Sequence, residues 1–523
     1  MIRTAEELGA GLAPARPARP IRAGERIHVV GVAGAGASAA ALLAIAAGAA
    51  VSGCDSGGPS PYTAALEAAG IPIAWRHDPR HVTTSPRPDR LAVTKALTAV
   101  LPDHPELRAA VTRGIPVEPW QQVVADAAFG RTLIAVAGTH GKSTTAGWLA
   151  WTLAQAGLDP AAFVGALLPA SIANGVPATA RLGAGAPFIV EADEYAGNFD
   201  AYLPDVVAVT SVEWDHPDVF ADRAAVIDAF AHWLSRVPDA TVIANVDDPG
   251  VVELLARLQA DPGRTGAIVG TSLAGGEAHR GPAPEATELW IDRQISGVIA
   301  EESPDGTVLD VEGLGPSPRR VHLTTVGAHN AANALVVLGG AAATVAMAGM
   351  DGGGEASVDR LLWGLASFPG IGRRLERKGE AGGVVVYDDY GHHPTAIRAT
   401  LSALRAREPR RRVWAVYEPL TFHRTAAMLD DFADALAEAD AVAIAAIWAS
   451  RDPDTSITSP EALAAAIRLR RPEIPIAAPG SVEATAAWLA DHVRDDDAVL
   501  VMGGGKSYRI AELLLEALEV RDR

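Results

Sequence analysis

The sequence predicts an α/β protein made of three successive blocks, each containing a parallel β-sheet. Two observations support this fold class. Short apolar runs alternate with helical patterns along most of the chain, and 523 residues are enough for about three domains of ordinary size. The predicted division is a loose N-terminal extension at 1–25, a first block at 26–129, a second at 130–367 and a third at 368–523.

The composition is that of an ordinary globular protein, with 49% hydrophobic, 20% charged and 5% aromatic residues. The chain has 44 Lys and Arg residues against 63 Asp and Glu residues, a formal net charge of −19. Because nucleic-acid binding needs a basic surface, no DNA or RNA partner is expected. The single cysteine, Cys54, excludes an intrachain disulfide and a metal site built from several cysteines, which fits a cytoplasmic location. The sequence leaves the oligomeric state open.

The first block opens with a pattern typical of a nucleotide-binding β-α-β unit. A strand over 27–32 is followed by a glycine turn, a helix of small residues from Ala37 and a second strand near 49–53. Asp55 then falls about 20 residues after the turn, where such units place a ribose-binding acid. Residues 1–25 are rich in proline, arginine and alanine without an apolar period, which predicts the loose extension.

An alternative interpretation of this region is a bacterial lipoprotein signal, with arginines before an apolar stretch and V-S-G-C ending at Cys54. The apolar stretch begins far from the N-terminus and is interrupted by glycines, so the β-α-β unit explains more of the pattern. No other apolar run is expected to approach the ~18 residues of a membrane span, and no membrane partner is predicted.

The strongest chemical signal is LIAVAGTHGKSTT at 133–145, between an apolar strand and an amphipathic helix. A glycine-rich loop at this point leaves backbone N–H groups free at the helix N-terminus, where they bind phosphate oxygens. Lys142 would reach the β- and γ-phosphates, and the Ser143 hydroxyl would bind Mg²⁺. The spacing of Gly138 and Gly141 is shorter than in the common phosphate loop, so a purely structural turn is the alternative. The predicted nucleotide-binding residues of this loop are Gly138, Thr139, His140, Gly141, Lys142, Ser143 and Thr144.

Acidic groups follow two further apolar strands of the second block. Glu191, Asp193 and Glu194 come after F-I-V, and Asp215 and His216 come after V-V-A-V-T-S-V-E-W. Ligands bind at the carboxyl ends of parallel strands, so these groups are expected beside the phosphate loop. Carboxylate oxygens with one imidazole nitrogen suit Mg²⁺ around a γ-phosphate. For Asp193 and Glu194, helix capping or a solvated charge is an equal alternative.

The third block repeats the parallel α/β pattern, with strands predicted at VVVYDD, VWAVYE, AVAIAAI and AVLVMGG. The segment MGGGK resembles a second phosphate loop at Lys506, but its glycines are more typical of a turn after the last strand. A P-loop kinase would explain 138–143 but not this third block, and a dehydrogenase would explain 31–55 but not Lys142.

Along nearly its whole length the sequence resembles the Mur ligase family of peptidoglycan synthesis. The matching segments are GVAGAGAS, VSGCD, HPEL, AGTHGKSTT, VEADEY, EWDH, GAHNAANAL, FPGIGRR, DDYGHHPT and MGGGK. The resemblance implies a Rossmann-like N-terminal domain that holds a UDP moiety, a P-loop ATPase-like central domain, and a Rossmann-like C-terminal domain that brings the amino acid. It also implies ATP and Mg²⁺ as cofactors, and it is closest to the branch that joins L-alanine to UDP-N-acetylmuramate through an acyl phosphate.

The resemblance further implies roles for individual residues. Lys142 would contact the γ-phosphate, Ser143 and Glu191 would bind Mg²⁺, and His216 would bind a second Mg²⁺. The other implied contacts are His329, Asn330 and Asn333 at adenine, Arg374 near the phosphates, Asp389 at the ribose, and Gly34, Ala35, Gly36 and Asp55 at the UDP-substrate. From the residues alone, a helix cap and a turn explain the two asparagines equally well.

The lysine positions agree with the alanine-adding branch. Other relatives in the superfamily hold the second metal through a carbamylated lysine that follows the Asp-His segment. This chain has no lysine between Lys142 and Lys378, so it cannot use that arrangement.

The amino-acid end departs from the pattern of that branch. In EPLTFHRT at 418–425, Arg424 matches an expected arginine, but Leu420 stands where a histidine is usual and is expected to be a core residue at a helix start. Arg424, with Tyr390 and His392, is expected to hold the α-carboxylate of L-alanine. The E-P dipeptide and the HHPTA segment are more similar to the same segments of the recycling ligases, which attach an L-Ala-γ-D-Glu-diaminopimelate tripeptide to UDP-N-acetylmuramate. This tripeptide is therefore the alternative to L-alanine as the acceptor.

Overall fold

The computed structural model describes residues 3–274, 290–349, 355–449, 452 and 454–521. Within them the chain forms three successive β-sheets covered by helices, which confirms the predicted α/β class. One continuous hydrophobic core joins the first and second sheets, and the third sheet has a separate core on each face.

The first sheet has five parallel strands in the order β3-β2-β1-β4-β5, the arrangement of dinucleotide-binding folds. Its strands are β1 (Arg26–Val30), β2 (Ala50–Cys54), β3 (Ile73–Ala74), β4 (Arg90–Val93) and β5 (Val117–Pro119). Its helices are α1 (Ala5–Leu8), α2 (Ala35–Ala46), α3 (Thr63–Ala68), α4 (Arg80–Thr83), α5 (Lys95–Thr98), α6 (Pro105–Thr112) and α7 (Trp120–Ala127). The predicted glycine turn follows β1, with Gly31 at a φ of 80°. Cys54 is buried at the end of β2, so the lipoprotein interpretation is wrong.

The N-terminal segment is packed against the first sheet, so the expectation of a loose extension is wrong for residues 3–25. Leu8 is fully buried. Arg16 pairs with Glu118 at 2.8 Å and with Asp126 at 2.7 Å. Ion pairs to distant carboxylates hold this segment in place. Such pairs leave no apolar period in the sequence, so its composition predicted a loose segment.

The second sheet has ten strands in the order β15-β14-β13-β12-β11-β10-β6-β9-β7-β8. Its strands are β6 (Thr132–Ala137), β7 (Ala161–Leu168), β8 (Ala178–Arg181), β9 (Pro187–Ala192), β10 (Val206–Val209), β11 (Thr241–Asn245), β12 (Ile268–Ala274), β13 (Arg293–Ser303), β14 (Gly306–Glu312) and β15 (Arg319–Leu323). Its helices are α8 (Lys142–Gln155), a 3₁₀ helix (Tyr195–Ala201), α9 (Arg223–Ser235), α10 (Pro249–Gln259), α11 (Ala328–Met347) and α12 (Glu355–Ala366). Strand β6 is parallel to both neighbours, β10 and β9, so the residues that follow these three strands meet at one edge.

Helix α11 contradicts the expectation that no other apolar run approaches a membrane span. Its 20 residues are long and apolar enough to cross a membrane, judged by length and composition only. Of that stretch, 61% is buried inside the protein, where the helix packs against α8 and strands of the second sheet. Its small residues permit this close packing, since a Cβ added at Gly339 would lie 2.5 Å from Ile243.

The third sheet has six strands in the order β16-β17-β21-β18-β19-β20, with β16 antiparallel to β17 and the other pairs parallel. Its strands are β16 (Glu376–Ala381), β17 (Val384–Asp389), β18 (Arg412–Glu418), β19 (Ala441–Ala445), β20 (Ile476–Gly480) and β21 (Asp497–Gly503). Its helices are α13 (Pro394–Arg407), α14 (Phe422–Ala427), α15 (Leu429–Leu436), α16 (Pro460–Arg470), α17 (Val482–His492) and α18 (Tyr508–Arg521). MGGGK forms the predicted turn after β21, and Glu418 closes that turn by accepting a 2.7 Å hydrogen bond from the Ser507 amide.

Candidate active site

The predicted phosphate loop lies between β6 and α8. Gly141 immediately precedes the helix and has a φ of 78°. A Cβ at Gly141 would lie 2.6 Å from Asn333 Oδ1, and a Cβ at Gly138 would lie 2.3 Å from Thr210 Oγ1. Both the backbone conformation and the neighbouring polar groups therefore require glycine here. Since Gly141 has no side chain to cap α8, the first amide groups of the helix are left for a phosphate.

Lys142 begins α8, and its side chain turns back over the loop. Nζ donates to the Gly138 carbonyl at 2.5 Å and lies 3.1 Å from Glu194 Oε2 and 3.8 Å from Asp193 Oδ1. Burial opposes the charge of Lys142, but Glu194, Asp193 and Glu191 outweigh burial and raise the Lys142 pKa. Lys142 therefore remains positively charged, and the phosphate oxygens of a bound nucleotide would compete with these carboxylates for its ammonium group.

Ser143 connects Glu191 of β9 to Arg374, which lies just before the third sheet. Its hydroxyl donates to Glu191 Oε1 at 2.9 Å and accepts from Arg374 Nη2 at 2.8 Å. The other Glu191 oxygen accepts from the Gly165 amide at 2.6 Å. Neighbouring oxygens around octahedral Mg²⁺ lie about 2.9–3.0 Å apart, because Mg²⁺–O bonds are about 2.1 Å long. The Ser143 hydroxyl and Glu191 Oε1 are therefore spaced as two neighbouring oxygen ligands of an octahedral Mg²⁺ ion would be.

Asp193, Glu194 and His216 form a second group of possible metal ligands, with one ligand atom from each within 4.8 Å of the others. Burial raises the pKa of Glu194 to about 7. Burial also opposes ionisation of Asp193, but Lys142 and His216 hold its pKa below the usual value. Glu194 is 2% exposed, so the alternative of a solvated charge is wrong for this residue. His216 has a φ of 55°, an uncommon conformation that aims its ring into this group.

Arg424 lies in α14 and is 3% exposed. Its Nη2 lies 2.7 Å from Asp215 Oδ1 and 3.2 Å from His216 Nδ1. Burial opposes ionisation of Asp215, but Arg424 and His216 hold its pKa well below the usual value. Among the described residues, Arg424 Nε and Nη1 have no hydrogen-bond partner. Since a buried, unpartnered N–H group costs about 1–3 kcal/mol, we expect these two donors to receive a ligand.

The three residues predicted to hold an α-carboxylate are only partly brought together. His392 lies close to Arg424, and burial together with the Arg424 charge lowers the pKa of His392. His392 Nδ1 is 2.9 Å from the Tyr390 carbonyl. The Tyr390 ring instead lies beside Arg373 and Arg374, whose guanidinium carbons are each 5.0 Å from the ring centroid. His392 therefore lies between two groups: it is close to Arg424, and its ring centroid is 5.3 Å from that of Tyr390, whose ring also contacts the Arg373–Arg374 pair.

Leu420 and Thr421 position Arg424 from the start of α14. Thr421 Oγ1 accepts a hydrogen bond of 3.3 Å from the Arg424 amide and so caps the helix. Leu420 forms a backbone bridge with Trp448, and its side chain packs at the MGGGK turn, where a Cβ on Gly504 would lie 3.0 Å from it. Leu420 is thus a packing residue just before a helix, but it is only partly buried, so the prediction of a core residue is wrong. The capping role of Thr421 was not predicted, although a threonine directly before a helical segment is a usual N-cap signal.

Two of the residues predicted at ATP line a cavity of about 760 Å³ between the second and third sheets, namely Asn330 and Arg374. Asn330 Nδ2 also donates to the Val326 carbonyl at 2.9 Å, so part of its polar capacity serves the first turn of α11. Asn333 lies under the phosphate loop beside Gly141. Burial lowers the pKa of His329 to about 4, so this imidazole is neutral.

Asp389, the residue predicted at the ATP ribose, is the last residue of β17 in the third sheet. Its carboxylate accepts the Leu375 and Gly391 amides, each at 2.7 Å. Burial raises its pKa. Each carboxylate oxygen retains further lone-pair capacity, so a ribose hydroxyl could still donate to Asp389.

The carboxylate of Asp55 holds the predicted UDP-binding turn of the first block through hydrogen bonds. Asp55 accepts the Ala33 amide at 3.1 Å and the Gly57 amide at 2.8 Å. The predicted residues Gly34, Ala35 and Gly36 lie at the N-terminus of α2. Gly36 serves close packing, since a Cβ there would lie 2.2 Å from the Trp120 ring. Asp55 therefore orders the turn directly, a role that its position in the sequence did not indicate.

Family models match most of the chain. The "Mur ligase family, catalytic domain" matches residues 26–131, the "Mur ligase middle domain" matches 136–341, and the "Mur ligase, glutamate ligase domain" matches 373–505. Together these segments include the phosphate loop, both carboxylate-bearing strand ends and Arg424.

Curated relatives and solved structures extend this similarity over nearly the full length. The chain is 36% identical over 451 residues to the UDP-N-acetylmuramate–L-alanine ligase of Frankia casuarinae, covering 82% of this chain and 84% of the relative. It is 36% identical over 508 residues to the ligase of the same name from Roseiflexus sp. (strain RS-1), covering 94% and 98%. The UDP-N-acetylmuramate–alanine ligase structure from Thermotoga maritima shares the fold at a TM-score of 0.71 and 22% identity, covering 95% and 99%. A murein peptide ligase from Psychrobacter arcticus gives a TM-score of 0.67 at 25% identity, with the same coverage.

Proposed function

The chain belongs to the Mur ligase family, and we propose that it joins L-alanine to the carboxylate of UDP-N-acetylmuramate with conversion of ATP to ADP and phosphate. Relatives that carry this activity in their names are 36% identical to it over most of both chains. The observation that carries the proposal is the Arg424 guanidinium, which is buried beside His216 and has two nitrogen donors without a partner among the described residues. The α-carboxylate of an amino-acid acceptor supplies the partner that these donors need.

The three blocks divide the substrates between them. The segment 26–129 would bind the UDP moiety at the turn that Asp55 orders, 130–367 would bind ATP, and 368–523 would bring the amino acid. ATP would lie along the phosphate loop, with its base towards the cavity lined by Asn330 and its ribose near Asp389.

The first chemical step forms an acyl phosphate. A carboxylate oxygen of UDP-N-acetylmuramate attacks the γ-phosphorus of ATP, and the bond to the β-phosphate oxygen breaks to release ADP. Lys142 and Arg374 supply positive charge to the transferring phosphoryl group, which is the main stabilisation such a reaction needs. Mg²⁺ held by Ser143 and Glu191, with a second ion at His216, would add further positive charge there.

The second step forms the amide bond. The neutral amine of L-alanine attacks the acyl carbon, phosphate leaves, and the nitrogen loses a proton. Arg424 orients the amine by holding the α-carboxylate, so its contribution is one of positioning a reactant. His392 is kept neutral beside Arg424, and its Nδ1 lies 2.9 Å from the Tyr390 carbonyl, so Nε2 is the nitrogen that can accept a hydrogen bond from the amine. Because ATP and a nucleotide-linked sugar are cytoplasmic metabolites, we place the reaction in the cytoplasm.

The acceptor test compares L-alanine, L-serine, glycine and the L-Ala-γ-D-Glu-diaminopimelate tripeptide in an assay of ADP release. We expect release that requires UDP-N-acetylmuramate and is fastest with L-alanine. Use of the tripeptide without use of L-alanine would instead assign the chain to the recycling reaction. Release of ADP without dependence on UDP-N-acetylmuramate would remove the ligase proposal altogether.

The acyl phosphate is tested separately by isotopic labelling. If the carboxylate of UDP-N-acetylmuramate carries ¹⁸O, one labelled oxygen is expected in the released phosphate, because that oxygen bridges carbon and phosphorus in the intermediate. Label that stays wholly in the sugar product would exclude this route.

A further inference from the structure

A second group of metal-binding side chains lies in the first block, apart from the ATP site. His28 is on β1, Cys54 ends β2, His81 is on α4, and Glu106 is in the first turn of α6. One ligand atom from each of these residues lies within 4.8 Å of the other three. Cys54 and Glu106 are fully buried, and His28 is 3% exposed. The ligation reaction proposed above uses none of these side chains.

The distances among three of these atoms match those between the ligands of a tetrahedral zinc ion. Cys54 Sγ lies 3.4 Å from His28 Nε2 and 3.4 Å from Glu106 Oε2. His28 Nε2 lies 3.5 Å from Glu106 Oε2, and His81 Nδ1 lies 3.1 Å from Glu106 Oε1. Zinc bonds of about 2.3 Å to sulfur and 2.0 Å to nitrogen or oxygen place S and N about 3.5 Å apart, and N and O about 3.3 Å apart. His28 Nε2, Cys54 Sγ and Glu106 Oε2 are therefore spaced as zinc ligands, and His81 lies against the other Glu106 oxygen, within 4.8 Å of the group.

Hydrogen bonding alone is a poorer explanation of the group, because of its charge. Glu106 is fully buried, and its two oxygens lie against the Cys54 sulfur and imidazole nitrogens of His28 and His81, so a cation at this position would balance the buried carboxylate. Zn²⁺ with one thiolate, one carboxylate and two neutral imidazoles is an uncharged centre. Such a centre avoids a net charge in the interior.

Neighbouring side chains orient the ligands in the manner of known metal sites. His28 Nδ1 lies 2.9 Å from Ser52 Oγ, which leaves Nε2 to face the group. His77 Nδ1 lies 3.3 Å from Cys54 Sγ, where it can hydrogen-bond to a thiolate.

We propose that His28, Cys54, His81 and Glu106 form a structural zinc site in the first block. Thiolate and imidazole ligands favour Zn²⁺ over Mg²⁺, and four protein ligands leave no open position for catalysis. The ion would tie together β1, β2, α4 and α6. Cys54 directly precedes Asp55, whose carboxylate holds the glycine turn through the Ala33 amide, so the ion would also stabilise that turn.

Cobalt substitution tests the site, because Cys54 is the single cysteine of the chain. The full-length protein is stripped with a chelator and titrated with Co²⁺ and, separately, Zn²⁺ without nucleotide. A thiolate-to-cobalt charge-transfer band can arise only from Cys54, so Co²⁺ bound at the ATP site produces none. We expect this band at one equivalent, its loss when Zn²⁺ is added, and a rise in melting temperature with Zn²⁺.

Two variants complete the experiment. Cys54→Ser is expected to lose the band. It should also lower zinc affinity by more than the ~10–100-fold that is typical of losing a residue that only hydrogen-bonds to a metal ligand. His492→Gln, at an exposed histidine on α17, should behave as the unmodified protein. Absence of the band in the unmodified protein would overturn the proposal, as would an equal zinc-induced melting shift in Cys54→Ser. If Cys54→Ser does not fold, the band and the zinc stoichiometry of the unmodified protein decide the question by themselves.

Discussion

Replacing Arg424 with lysine separates its role in acceptor binding from its role in the fold. Lysine keeps a positive charge for Asp215, which is 5% exposed and needs a cation. A single ammonium group cannot also present the two donors, Nε and Nη1, for which Arg424 has no partner in the described part of the chain. We therefore expect Arg424→Lys to fold but to bind L-alanine weakly.

The magnitude follows from the hydrogen bonds that are lost. Two charge-assisted hydrogen bonds to the L-alanine carboxylate are worth about 1.5–3 kcal/mol each, and the lysine charge recovers part of that sum. A net loss of about 3 kcal/mol corresponds to an increase of roughly 100-fold in the KM for L-alanine, since 1.36 kcal/mol is tenfold. The KM for ATP should change by less than about 2-fold, because Lys142 and Arg374 are untouched.

The assay is ADP release, with L-alanine and ATP varied in turn at saturating levels of the other substrates. Arg405→Lys on α13 is the matched control, because Arg405 forms an exposed ion pair with Asp440 at 3.1 Å and such pairs contribute only about 0–1 kcal/mol. An unchanged KM for L-alanine, or an equal rise in the KM for ATP, would refute the role of Arg424. Arg424→Ala is a less clear test because it strands the buried Asp215 carboxylate, a change that typically costs about 3–5 kcal/mol of stability.

Three further predictions concern the phosphate loop, a buried carboxyl group and helix α2. Lys142→Ala should abolish ADP release and also lower the melting temperature, because Glu194 and Asp193 lose their cation; retained turnover would exclude the loop from the mechanism. Burial raises the pKa of Glu418 from 4.5 to about 7, so its contribution to stability is present below its unfolded pKa and is lost as the pH rises through about 7. Denaturant unfolding should therefore show the free energy of unfolding falling by roughly 3 kcal/mol between about pH 4 and pH 8 relative to Glu418→Gln, and parallel pH profiles would contradict this. Gly36→Ala should destabilise the protein by about 1–3 kcal/mol through overpacking on Trp120, whereas Gly34→Ala, whose Cβ would lie 3.5 Å from the Gly31 carbonyl, should melt close to the unmodified protein.

Much of the fold and part of the site could be predicted from the sequence because the responsible signals are local. The predicted phosphate loop is a strand, a glycine turn and a lysine-hydroxyl pair within one short segment, and the structure has the expected strand, turn and helix there. Glu191 and His216 were predicted near the loop from their positions after strands, since the carboxyl ends of parallel strands share one edge. The MGGGK turn was likewise distinguished from a phosphate loop by its place after the last strand.

The predictions that were wrong involve contacts that leave no local pattern. Residues 3–25 are held by ion pairs such as Arg16 with Asp126, and these do not produce an apolar period. Helix α11 is apolar because it is packed inside the second block, and composition cannot distinguish that environment from lipid.

The sequence by itself therefore determined the fold class, the family resemblance and the phosphate loop, because strand and helix periods and glycine turns are encoded in neighbouring residues. Only the tertiary structure decided which distant side chains meet. Arg424 and His216 are 208 positions apart, and His28, Cys54, His81 and Glu106 come from four separate elements. Such contacts depend on how the strands are ordered and how the sheets pack, so the unpartnered donors of Arg424 and the four-ligand group at Cys54 become visible only once the chain is folded.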